Sequence, residues 1–441
     1  MKGGSGSQAC ETYHIQGQIL SAIWIFVIGA MFAGLATADS PADWENRAEQ
    51  LIRQGDKQGA LDALAKAAEA TPASAESEDR IGFLLAVLQQ QNEAATHFQK
   101  ALSLDSAYAP AHFHLGMAYW IAKNPDQALP ELQQAAKLAP GVFDYRYHLG
   151  AAYLRVSDYG EAVAELKQAV SIDPSKAPTW DDLGHALQYT GDLAGAVDAY
   201  QHAVSLDPAN DGARNDYAYM LVETRQADRG IEEARKVLGH DPSSTAALMN
   251  IGYANLKKGD FDSAEQAYRQ ALALDPNSAA AHYDLGIALK MKDQLEPAEK
   301  EFAEASRIDP SLAEAHYSLG IAKWQLGDFP AAIEQMRAAL SVRPDYAEAH
   351  YMLGIVLKQS GDLDAAIPEL KEAIRLDPSS PGPYNTMGEI LHIKGDKQGS
   401  EEAFATGARL KREKEGQLAN SLEEGMRGGT IPKPIAGAPP R

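Results

Sequence analysis

Cysteine is almost absent: the 441 residues contain one, Cys10. A mature chain starting beyond it has neither disulfides nor thiol chemistry. Positive charge is also short, with 40 Lys and Arg against 61 Asp and Glu and a net charge of −21. Nucleic acids and anionic membrane surfaces reward basic patches, so both are opposed as ligands. Catalytic signatures are missing too. Residues 39–441 hold no Walker loop, Gly-x-Ser-x-Gly elbow, His-Glu-x-x-His or Cys-x-x-Cys cluster. No enzyme activity, cofactor, metal site or small-molecule substrate is expected.

An apolar run from Ile19 to Ala36 precedes Ala36-Thr37-Ala38, which has the small-x-small form of a signal-peptidase site. Cleavage is expected before Asp39, giving a periplasmic or secreted protein. The leader is unusual in lacking a positive excess, with only Lys2 and Glu11 in its first eighteen residues. Two alternatives stay open. An uncleaved inner-membrane anchor over 19–36 is long enough to span a bilayer, and would be the chain's sole link to a membrane. Initiation at Met31 would leave the chain in the cytosol.

What is present is a period. A residue with little or no side chain recurs every 34 positions from Ala48 to Gly388, eleven times, as Gly at nine and Ala at two (Ala48 and Ala218). That period marks stacked helix–turn–helix units, each packing mainly on its neighbours. Two further small-residue series run in step, one from Ala60 to Ser400 and one from Ala67 to Gly407. Larger residues fill between them: Leu64, Phe98, Leu132, Leu166, Tyr200, Tyr268, Phe302, Met336, Leu370 and Phe404. Much of the acidity is punctuation. One series of seven aspartates, Asp105 to Asp377, falls at a helix end, and another, Asp56 to Asp396, falls in the turn inside each repeat. Turn formation and helix capping account for them, leaving about a third of the negative excess. Proline closes most repeats, stopping one helix and aiming the next.

The pattern Trp, Leu-Gly, Tyr, Ala, Phe, Ala and Pro resembles the tetratricopeptide repeat family. Trp44 and Trp180 match its Trp place, and Tyr119 and Tyr153 its Tyr place. The resemblance covers 41–414 as eleven copies and implies an all-α, right-handed α-solenoid superhelix. Residues 1–38 are read as leader or anchor, 415–427 as a capping helix covering the open end with Leu418 and Leu422, and 428–441 as a disordered tail. The sixth copy, 211–244, departs most: Ala218 and Gly230 exchange the usual Gly and Ala, and Arg225-Gln226 replaces Gly-Asp. A softer joint and ordinary drift both remain open there.

Twelve histidines invite a metal reading, but His112, His282, His316 and His350 sit a helix pair apart, too far for shared ligation. They are read as packing or partly exposed residues. The adjacent acids Asp181-Asp182 and Glu232-Glu233 are read as solvated.

In the family the first helix of each repeat lines a concave groove. By that resemblance Phe113, Met117, Trp120, Tyr147 and Leu154 form an N-terminal stripe. Tyr283, Ile287, Tyr317, Ile321, Trp324, Tyr351 and Ile355 form a C-terminal one, beside Lys290 and Lys358, with Tyr219 and Tyr253 between the stripes. Rings offer contact area, and lysines can anchor carboxylates of an extended or helical peptide. A purely structural use of these tyrosines is the competing reading. The clamp that grips chaperone tails is not matched, because its places hold Glu45, Phe83, Tyr147 and Met117. An asparagine ladder at the sixth place is not matched either: it reads Asn46, Arg80, His114, His148, Asp182, Asp216, Asn250, Asp284 and Ser318. The acidic balance and the 34-residue period also oppose a related RNA-binding array. The expected function is a protein-binding scaffold of the bacterial envelope. The alternatives are a regulatory or assembly subunit whose enzyme is encoded elsewhere and, more remotely, a transferase.

Overall fold

The computed structural model describes residues 40–70 and 73–428, with side chains to residue 420 apart from Leu418. The leader and the residues after 428 lie outside it, as do the side chains of Leu418 and Leu422. Among the described residues there are twenty-two α-helices and no strand. They come as eleven pairs, from Pro41–Gln54 with Lys57–Glu69 to Pro381–Ile393 with Lys397–Gly428. None is long and apolar enough to cross a membrane.

The chain divides into two compact units, one ending at Ala213 and one beginning at Arg214, within the helix Asp211–Glu223. Within each unit the partners of a pair pack closely, and a second helix then packs on the next first helix. First helices of neighbouring repeats also touch, for example Ala75–Val87 with Ala109–Ile121 and Ala347–Gln359 with Pro381–Ile393. They therefore form the inner face of each stack.

Local chemistry sets each hairpin. The Asp56 carboxylate accepts the Gly59 N–H at 2.9 Å, and Asp362 accepts that of Ala365 at 3.0 Å, closing helix N-termini. The other aspartate series folds the turn between repeats, as when Asp241 accepts the Ser243 N–H at 2.9 Å. The residue before each capping position turns left-handed in all eleven repeats. Six are glycines, whereas Gln89, Lys123, Ser157, Arg225 and Asp293 hold φ between 57° and 65°. Side-chain-bearing residues bear a steric cost there.

Close approach explains the small-residue period. A Cβ on Gly286 would stand 2.6 Å from Phe302 Cε1, and one on Gly116 would stand 2.8 Å from Leu132 Cγ. Nine of the ten filler residues are at most 2% exposed, but Phe404 is 40% exposed because no described repeat follows to cover it. The sixth repeat compensates its exchange internally. Ala218 occupies the glycine place opposite the small Ala234, while a Cβ on Gly230 would meet the Ala218 carbonyl at 2.8 Å.

A second device replaces the family's tryptophan. Where the Trp place holds a large apolar or aromatic side chain (Trp44, Trp180, Leu248, Tyr384), the residue nineteen later is alanine (Ala63, Ala199, Ala267, Ala403). Where it holds His or Arg, that residue is Glu or Gln. Nδ1 of His282 lies 2.6 Å from Glu301, and Arg146 donates to Glu165 at 2.6 Å. Nε2 of His282 also lies 3.2 Å from the Pro276 carbonyl. Glu78 with His97 is the same clip reversed, at 2.6 Å. The histidines read as packing residues are thus hydrogen-bonded clips between the two helices of a repeat.

The acid pairs also differ from expectation. Asp181 and Asp182 are half-buried, and Asp182 bonds the Tyr147 hydroxyl. Glu233 accepts from Arg214 and Lys236, each at 2.6 Å, and only Glu232 is exposed. Helix hairpins leave room for these acids to fold back on their own stack. The last helix continues past residue 414 to Gly428, with Lys411–Gln417 exposed.

Candidate functional site

Each residue assigned to the two stripes lies on a first helix and is half-buried. In the second unit, Tyr283, Tyr317 and Tyr351 repeat at one place of successive first helices, with Ile287, Ile321 and Ile355 one turn on. Their inner sides are core. Tyr283 and Ile287 pack on the cluster that contains Phe302, and Tyr317, Ile321 and Tyr351 on that containing Met336 and Leu370. The Tyr283 and Phe302 rings are 5.9 Å apart. Tyr351 is held from the far side: a Cβ on Gly382 would meet its hydroxyl at 2.6 Å. The tyrosines therefore serve structure with one side and offer the other to the inner face.

Trp324 donates its indole N–H to Gln359 at 2.5 Å, which fixes the ring toward the next repeat. Lys358 already pairs with Glu389. Lys290 makes no ion pair among the described residues, and burial pulls its ammonium below the ordinary lysine range. Of the two lysines, Lys290 is the one whose charge is not already matched. Sequence reasoning missed Tyr346, whose ring lies 4.9 Å from that of Tyr317 under the Arg343 guanidinium, 3.5 Å from the ring centre. Tyr346 precedes its helix, so a reading confined to helical places passes over it. Burial pushes the Tyr317 hydroxyl up to about 12.

The N-terminal stripe is built differently. The Phe113 ring lies 4.8 Å from Tyr145 and 5.4 Å from His148, and Tyr147 stacks on Phe143 at 5.7 Å. His114 sits 5.4 Å from both Phe83 and Phe98, with Nδ1 2.8 Å from Asp79 Oδ1. Burial lowers the His148 imidazole and pushes the Tyr145 hydroxyl up to about 12, the latter helped by the Asp79 charge. These rings pack on one another. Met117, Trp120 and Leu154 continue this lining on the helices Ala109–Ile121 and Phe143–Arg155.

Earlier in the second unit, Tyr219 and Tyr253 stack at 5.5 Å, and the Tyr253 hydroxyl donates to Glu223. Beside them stands Asp284, which sequence reasoning noted only as a failed asparagine. Its carboxyl is pushed up to about 7 by burial.

Profiles described as tetratricopeptide repeat match residues 88–142, 122–177, 218–276 and 317–381, with further profiles of that description at 255–320 and 177–210. No curated protein matches the chain. Among solved structures, a tetratricopeptide repeat protein from Parabacteroides merdae is 13% identical and has a TM-score of 0.50. The similarity spans 56% of this chain and 98% of that one. It bears on fold alone. A structure of MamA is 29% identical over 37% of this chain and 96% of its own, with a TM-score of 0.36. YrrB, described as a TPR protein with an unusual peptide-binding site, is 21% identical over 45% of this chain and 99% of its own, with a TM-score of 0.37.

Proposed function

The chain belongs to the tetratricopeptide repeat family, and we propose that it is a binding scaffold that docks a partner's peptide segment on the inner face of its second unit. The observation that carries this reading is the half-buried row Tyr283, Ile287, Tyr317, Ile321, Trp324, Tyr351 and Ile355. Five of its seven side chains pack on core clusters behind, and Trp324 is fixed by its hydrogen bond to Gln359. A pre-formed surface of this kind loses little conformational freedom on binding. Aromatic rings supply contact area with few rotors to freeze. In the first unit Phe113 and Tyr147 pack on neighbouring rings, whereas the second unit's row recurs at one place of three successive first helices, which favours the second unit.

We assign the scaffold to the cell envelope on the strength of the Ile19–Ala36 run and the small-residue site after it. N-terminal sequencing of the protein from its source cells tests this: a start at Asp39 supports export with cleavage, and a start at Met31 contradicts it.

Docking is tested by capture from an envelope extract with the full chain as bait. A parallel bait carries Tyr283→Ala, Tyr317→Ala and Tyr351→Ala, with helicity and melting checked because these rings also pack on core. Trp324→Ala serves as a milder second variant. Partners retained by wild type and lost from both variants support the reading. Equal capture by all three baits moves binding off this face.

A further inference from the structure

Asp284 is the sixth residue of the helix Ala279–Met291, on the lining of the second unit. It is half-buried, and among the described residues it accepts no hydrogen bond and pairs with no cation. A partly dehydrated carboxylate without a partner gains from a counter-charge that approaches from its solvent side. Its neighbours at the same place, Asn250 and Ser318, are uncharged. The charge of Asp284 reaches four tyrosines: Tyr219, Tyr253, Tyr268 and Tyr283.

Tyr268 shows that polar pairing is incomplete in this part of the stack. Its side chain is fully buried, yet its hydroxyl has no hydrogen-bond partner. The equivalent Tyr200 donates to Gln188 at 3.2 Å, twelve residues earlier. At the matching position the second unit carries Leu256, so the Tyr268 hydroxyl is orphaned. The Tyr268 hydroxyl lies in the core beneath, so the reachable patch is the unpaired Asp284 carboxylate with the half-buried Tyr219, Tyr253 and Tyr283.

We propose that this patch receives an arginine side chain of the docked peptide, its guanidinium paired with Asp284 and lying against the tyrosine rings. This rests on the docking reading above and adds the chemistry of the partner. Guanidinium offers planar donors for a carboxylate and stacks on aromatic faces, and it sheds water more readily than an ammonium. Other charged groups at the patch do not meet the need. Glu223 is engaged by the Tyr253 hydroxyl, and Lys257 lies over the Tyr253 ring at 5.0 Å from its centre. The tyrosine hydroxyls are all raised by burial and stay neutral.

The test uses the full chain and two pools of blocked, fluorescein-labelled nonapeptides, randomised around a central arginine or a central citrulline. Citrulline keeps the shape and removes the charge. The arginine pool is expected to bind wild type about tenfold more tightly, the scale of one charge-assisted hydrogen bond. Asp284→Asn should bring the two pools within about twofold of each other. Binding of the citrulline pool should be unchanged, and the melting temperature should not fall. The arginine preference should also grow between pH 6 and pH 8 in wild type, as the Asp284 carboxyl ionises, and stay flat in Asp284→Asn. Equal binding of both pools, or a preference that survives Asp284→Asn, overturns the arginine assignment. The docking reading still stands in that case if both pools are lost from the Tyr283, Tyr317, Tyr351 triple variant. Failure of wild type to bind either pool contradicts both.

Discussion

Tyr200 and Tyr268 hold the same place in the repeat, one in each unit, and meet different fates. The first finds Gln188, whereas the second faces Leu256 and is left unpaired. Asp79 and Asp284 make a similar contrast. Asp79 is 5% exposed and bonded to His114 at 2.8 Å, while Asp284 has no described partner. In the first unit, Tyr147, His114 and Tyr200 close their polar atoms on acids and amides of the same stack. The second unit leaves the Asp284 carboxylate and the Lys290 ammonium unmatched, and the Tyr268 hydroxyl unpaired within the core. A scaffold stabilises itself by pairing such groups, so unpaired charges that solvent can reach mark where an outside group can pair.

The largest expected effect sharpens the aspartate contrast. Burial lifts the Asp284 carboxyl to about 7, well above the ordinary aspartate value of 3.8. The unfolded chain therefore ionises first as pH rises, and stability present below about pH 4 is lost through pH 7. Asp284→Asn should remove that slope and stabilise the free protein at pH 8 by up to about 4 kcal/mol, while changing little at pH 4. Asp79→Asn should do the opposite, disturbing the contact with His114 Nδ1 and destabilising by about 1–3 kcal/mol. Denaturant melts at pH 4 and pH 8 read both. Effects of the same sign would break the contrast.

The tyrosine pair gives a smaller effect. Tyr268→Phe removes an unpaired hydroxyl and should be neutral or stabilising, whereas Tyr200→Phe should cost about 0.5–1.5 kcal/mol. Equal losses would show that Tyr268 is satisfied after all. The smallest effect bounds the comparison. Lys123 and Asp293 hold the same left-handed turn, one in each unit. Glycine at either should stabilise by roughly 0.5–1 kcal/mol, and thermal melts should give the two units equal gains. Unequal gains would mean that the units differ in their hairpins as well as their linings.

Much of this fold is legible in the sequence because its determinants are local. Gly286 and Phe302 lie sixteen residues apart within one hairpin, and Asp56 caps its own helix. The period repeats the glycine in nine copies and the capping aspartate in seven, so single exceptions do not hide either signal. The Trp-place clip was equally available, since His112 with Glu131 and Trp180 with Ala199 obey one nineteen-residue rule. Reading the histidine column alone, without its opposite column, gave packing residues instead of hydrogen bonds. The candidate site was only partly legible. The Tyr283, Tyr317 and Tyr351 row follows from the period, but Asp284 gains meaning only from what Asn250, Leu256 and Ser318 fail to supply. Pairs that cross between repeats, such as Lys358 with Glu389, depend on stacking geometry that no single repeat encodes.

The most direct measurement is photo-crosslinking in the source cells from a benzophenone amino acid placed at Ile287 or at Met117, with adducts identified by mass spectrometry. Both positions are half-buried on a first helix, one in each unit. We expect Ile287 to capture a discrete partner, crosslinked through a segment that contains arginine, and Met117 to capture little. Adducts from Met117 with none from Ile287 would contradict the placement of the binding face in the second unit.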